Sequence, residues 1–113
     1  MKQSFTYHEI TEDQFATMLA AENFTGVVVF ASDWTGGSPM LHSLMDKLAR
    51  EYEATDVRFC SIDPEKAPKL AEEYRINGHL TVFFFRKSVL IDQIVGMPAK
   101  QLLRAKVAQL VQS

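Results

Sequence analysis

The stretch Gly26-Val27-Val28-Val29-Phe30-Ala31 constrains the fold of this chain more than any other. A strand with one wet face alternates apolar and polar residues; this run has no alternation and needs apolar cover on both faces. Helices packed on both sides of a sheet supply such cover. Thr81 to Phe85 is a second apolar run of the same kind. Neither run approaches the roughly 20 residues that a membrane-spanning helix requires.

Helical patterns separate the runs. Thr11 and Gln14 form a capping-box pair, predicting a helix over about Glu12 to Ala21 with Phe15, Met18 and Leu19 on one face. Leu41, Leu44, Met45, Leu48, Ala49 and Tyr52 give the clearest helical periodicity in the chain. Ser4 to Glu9 and Val57 to Ile62 read as strands. Asp63-Pro64 opens a turn, and a short helix follows to about Tyr74, interrupted early by Pro68. Val89 to Val95 pairs back on Thr81 to Phe85 through the polar turn Arg86-Lys87-Ser88, an antiparallel hairpin whose last strand is an edge guarded by the charge on Asp92. Pro98 opens a final helix to about Val111, with Leu103, Val107 and Leu110 inward. The expected order is β-α-β-α-β-α-β-β-α, an α/β fold with three layers, α/β/α, around a central mixed sheet.

The 113 residues suit one domain, 1–113, and their 47% hydrophobic content is ample for a core. A formal net charge of −2 without a basic cluster argues against nucleic acid and membrane surfaces as partners. Met1-Lys2-Gln3-Ser4 lacks the apolar core of a signal peptide, and the only cysteine, Cys60, has no partner for an internal disulfide. Both point to a reducing, cytoplasmic location. Cys60 itself reads as a core filler. Three scattered histidines and one cysteine give no metal-ligand spacing, and no motif calls for a cofactor.

Four local strings stand in order along the chain: Val27-Val28-Val29-Phe30-Ala31 before Trp34, Ser61-Ile62-Asp63, Tyr74-Arg75-Ile76-Asn77-Gly78, and Val95-Gly96 before the last helix. Together they resemble the thioredoxin superfamily across nearly the whole chain. The resemblance implies a thioredoxin fold and a Trp-Cys-Gly-Pro-Cys loop after the first apolar strand. The chain instead has Trp34-Thr35-Gly36-Gly37-Ser38. The resemblance also implies a buried Asp where Val29 stands and a cis-Pro pair where His79-Leu80 stands. Hydroxyls have no accessible thiolate-like anion and form no disulfide, so the residues suggest a redox-inactive member.

That reading carries three expectations. The function is a protein-binding adaptor, assembly factor or chaperone for a protein or peptide partner, and not an enzyme. Its binding surface is Trp34, Thr35, Gly36, Gly37, Ser38, His79, Leu80 and Met97, of which Trp and Met are common interaction anchors. The His79–Leu80 peptide bond is trans, because a cis bond before Leu costs about 2.5–4 kcal/mol. Ser38-Pro39 reads as a helix N-cap followed by Pro, and the Gly36-Gly37 amides also suit an anion. An alternative function is a non-redox enzyme in which Ser38 pairs with His79, although no orienting third group is evident.

Overall fold

A computed structural model describes residues 7–32, 37–76 and 80–111. The elements run β1 (His8–Glu9), α1 (Glu12–Ala20), β2 (Gly26–Phe30), α2 (Ser38–Glu51), β3 (Arg58–Ile62), α3 (Pro68–Glu73), β4 (Thr81–Arg86), β5 (Val89–Val95) and α4 (Lys100–Val111). The sheet order is β1-β3-β2-β4-β5. The β1–β3 and β2–β3 pairs are parallel, and the β2–β4 and β4–β5 pairs are antiparallel. The sheet is therefore mixed, with β5 at one edge.

The unbroken apolar strands split their side chains between two cores. Val27 and Val29 of β2, Phe59 of β3, and Val82 and Phe84 of β4 meet Leu41, Met45 and Leu48 of α2 and Leu103, Val107 and Leu110 of α4. On the opposite face Val28, Phe30, Cys60, Ile62, Phe83 and Phe85 meet Phe15 of α1 and Leu70 of α3. The period of two along each strand thus feeds both faces, and two helices close each one. Phe15 meets Phe30, Tyr74 and Phe85 edge-on at centroid distances of 5.8–6.4 Å, an arrangement the ring quadrupoles favour.

Local signals explain most boundaries. Thr11 and Gln14 form the full capping box, with Thr11 Oγ1 accepting from Gln14 N–H at 3.1 Å and Gln14 Oε1 accepting from Thr11 N–H at 2.8 Å. Gly26 begins β2 because nothing larger fits: a Cβ there would stand 2.3 Å from the Arg58 carbonyl oxygen. The hairpin turns at Lys87 and Ser88, both left-handed (φ 49° and 64°), and its tip is tied down by Ser88 N–H donating to the Phe24 carbonyl at 2.7 Å. Pro68 departs from expectation. It stands at the first turn of α3 and starts that helix instead of interrupting it, since its missing N–H would have been unpaired there anyway. The described part of the first strand is shorter than Ser4 to Glu9, with residues 1–6 outside the described range.

Candidate functional site at the start of the second helix

β2 carries the chain to the end of the sheet, and α2 turns back from Ser38 over the α2/α4 core. Gly37 is the N-cap, with φ +86°, a left-handed conformation that a residue with a Cβ adopts at a cost. A Cβ there would also press on Leu80 Cδ1 at 3.3 Å, with Met97 Sδ at 3.9 Å. Gly37, Leu80 and Met97 therefore converge, as the sequence reading places them. The chain beside them is fixed by Gly96 N–H donating to the Leu80 carbonyl at 2.6 Å. Trp34, Thr35, Gly36 and His79 lie outside the described residues, and so does the His79–Leu80 peptide.

Two expectations change here. Ser38 is not the N-cap: it is the first residue of α2, 3% exposed, and its hydroxyl donates to the Ser32 carbonyl at 2.9 Å. The positive φ at Gly37 shifts the cap one residue earlier and turns the Ser38 side chain inward. A buried hydroxyl committed to a main-chain carbonyl is not placed as a nucleophile, so the Ser38–His79 enzyme reading loses its attacking group. Leu80 is 3% exposed and packs in the core, so its side chain presents nothing to a partner. Met97, by contrast, is 43% exposed.

Beneath α2, Val29 is fully buried and lies in register with Ser61 of β3 and Val82 of β4. The nearby polar chemistry comes from residues that sequence reasoning passed over. The Tyr7 hydroxyl is hydrogen-bonded to His42 Nδ1, with the two rings tilted at 5.5 Å. Burial drives the Tyr7 phenol well above its usual range, and a hydrogen bond with Ser61 pulls weakly the other way. The available signal was positional: His42 falls one turn after Ser38, on the inward side of α2.

Cys60 lies on the other face of the sheet. It pairs in register with Val28 and His8, is 3% exposed, and belongs to the α1/α3 core, as the sequence led us to expect. Burial pushes its thiol up to about 12, with a small opposing effect from Arg58. Among the described residues no group of His, Cys, Asp and Glu is gathered to hold a metal ion. A cleft of about 1080 Å³ opens at the opposite end of the sheet from Gly37, lined by Thr17, Phe24, Thr55, Arg58, Arg86 and Lys87 among others.

This mixed sheet between two helical layers, with α2 starting at a glycine-turned loop beyond β2, is the thioredoxin fold. Thioredoxin f from spinach chloroplast, in its short form, superposes with a TM-score of 0.80 at 25% identity, covering all of both chains. Thioredoxin f2, solved in a complex with ferredoxin:thioredoxin reductase, superposes with a TM-score of 0.80 at 21% identity, covering 96% of this chain and 98% of that one. In sequence, the thioredoxin of Chlorobaculum thiosulfatiphilum is 26% identical over 101 residues, 89% of this chain and 93% of that protein. The thioredoxin family model matches residues 6–109, and the chain belongs to that family.

The family result corrects the functional expectation. Relatives along nearly the whole chain are named thioredoxins, which points to thiol–disulfide redox function. The readings as a redox-inactive adaptor, assembly factor or chaperone, and as a protein that is not an enzyme, are overturned by that finding. They gave a few loop positions more weight than the rest of the chain.

Proposed function

We propose that this chain acts in thiol–disulfide redox chemistry as a monothiol member of the thioredoxin family, with a protein partner supplying the second sulfur. The observation that carries the reading is the family match over residues 6–109 in a chain with one cysteine. The chain's own residues set the form the reaction takes. Thr35 and Ser38 leave no Cys-x-x-Cys pair, and His79-Leu80 replaces the cis-Pro pair, so no disulfide closes within the loop. Cys60 is then the sulfur available for exchange. Its thiolate attacks a partner disulfide, a mixed disulfide forms, and one partner thiolate leaves. A second thiol then attacks the partner sulfur of the mixed disulfide and releases Cys60 as a thiolate.

A partner protein fits this scheme, as in the thioredoxin f2 complex with its reductase. A reducing, cytoplasmic setting belongs to the same proposal, because it keeps Cys60 a free thiol. The exchange is slow in the closed molecule. With a pKa of about 12, on the order of one Cys60 in 100,000 is ionised at pH 7, and the sulfur must also be uncovered.

Insulin-disulfide reduction with glutathione as the second thiol tests the proposal. The expected result is weak turnover above a no-protein control, rising about tenfold per pH unit between pH 7 and 9 as the Cys60 thiolate fraction grows. The Cys60→Ala variant should lose it. Equal rates in the two proteins, or no turnover above the control, overturn the reading.

A further inference from the structure

A thioether sulfur lies close to the start of α2. Met97 Sδ lies 3.9 Å from the point where a Cβ on Gly37 would stand, over the N-cap of α2. It follows Gly96, whose φ of +92° turns the chain toward that helix, and Pro98 after it is buried, so the backbone on both sides is fixed. Met97 is 43% exposed and Met40 is 68% exposed, whereas Met45 is fully buried. A thioether needs no ionisation to react with a peroxide, so the burial that slows Cys60 does not hold Met97 back. The N-cap residue beneath Met97 is Gly37, which has no side chain to cap the helix with, and Pro39 brings no N–H of its own.

We propose that Met97 is a site of reversible oxidation by peroxide, and that the sulfoxide oxygen then caps α2. In the step, the Met97 sulfur lone pair attacks one peroxide oxygen and the O–O bond breaks. An S–O bond forms, water leaves after proton transfer, sulfur is oxidised by two electrons and the peroxide is reduced by two. The sulfoxide oxygen is a strong acceptor, and a side chain already lying over Gly37 brings it to the first-turn N–H groups of Ser38 and Met40. An acceptor at the positive end of a 14-residue helix is favoured there for the same reason a Ser or Asp N-cap is. Oxidation thus tightens the start of α2; two thiols, acting through a methionine sulfoxide reductase, reduce the sulfoxide by two electrons, forming a disulfide and water, and restore the thioether. The inference rests on the Met97–Gly37 geometry and is independent of the role given to Cys60.

The test uses the Met40→Leu protein, oxidised with hydrogen peroxide and followed by peptide mass spectrometry. Met97 should gain one oxygen at least tenfold faster than Met45. Amide hydrogen exchange at Ser38 and Met40, read by NMR, should slow at least threefold in the oxidised protein and recover after treatment with methionine sulfoxide reductases. A Met97→Leu, Met40→Leu protein given the same peroxide should show no change at these amides. Oxidation of Met97 at the rate of Met45, or first-turn exchange that is unchanged or faster after oxidation, overturns the proposal.

Discussion

Ser38 shows how one backbone angle reassigns a side chain. In the sequence, Ser before Pro reads as a cap; in the fold, the left-handed Gly37 takes the cap position and the Ser38 hydroxyl points inward to the Ser32 carbonyl. The two roles predict different mutational behaviour. Ser38→Ala should lower stability by about 1 kcal/mol, the net worth of one buried hydrogen bond. Ser38→Asp separates the roles, since Asp is as good a cap as Ser on a helix N-terminus but here would bury a carboxylate. It should destabilise more than Ser38→Ala, measured as a larger drop in the urea midpoint. An Asp variant as stable as the wild type would mean that position 38 caps after all. The sequence could not separate these roles, because the sign of φ at a glycine is set by the path of the loop and leaves no trace in residue type.

At the scale of elements, the hydrophobic periodicities are legible and their exceptions are backbone effects. The order of strands and helices, the capping box of α1 and the inward faces of α2 and α4 follow from spacing alone, because burial on a strand or helix face repeats with a fixed period. Pro68 was misread because the same residue breaks a helix interior and suits a helix start, and only the placement of α3 decides between them. Asp92 was read as an edge guard; in the fold it also pairs with Lys106 of α4, a contact that no local pattern announces. Gly26 gives the sharpest test at this scale. Its position in β2 brings the backbone so close to β3 that a methyl group would meet the Arg58 carbonyl, an atom held in the ladder and unable to swing away. Gly26→Ala should therefore cost about 1–3 kcal/mol, through strain between the two central parallel strands. The matching control is Ala105→Gly, on the exposed side of α4, which should cost only about 1 kcal/mol through helix propensity. A Gly26→Ala protein with an unshifted thermal midpoint would show that β2 and β3 can part without loss.

At the scale of the whole molecule, the fold and the proposed reaction make opposite demands on Cys60. The fold was legible because it rests on many burial positions, and the function was not because that reading rested on a handful at positions 29, 35, 37, 38, 79 and 80. Closed, the α1/α3 core hides the thiol; exchange requires that core to open without the loss of the entire structure. The two cores are not equally anchored. On the α2/α4 face two long helices bury many residues against the sheet, whereas α1 buries fully only Phe15 and is tied to its neighbour by Glu12 Oε2 accepting from Leu70 N–H at 3.1 Å. Among the described residues, His8 and Glu9 of β1 cover the β3 edge at Cys60 and Ser61. The weakest cooperative unit is therefore α1 with β1, and its opening bares Cys60 while the other core stays closed. Thiol labelling of Cys60 across a urea series below the unfolding transition should have a shallower urea dependence than global unfolding, because less surface is exposed in the open form. Phe15→Leu should speed that labelling more than its loss of global stability accounts for. A labelling slope equal to the global one at every urea concentration would mean that Cys60 is reached only by complete unfolding, and monothiol exchange in the native protein would then have no route.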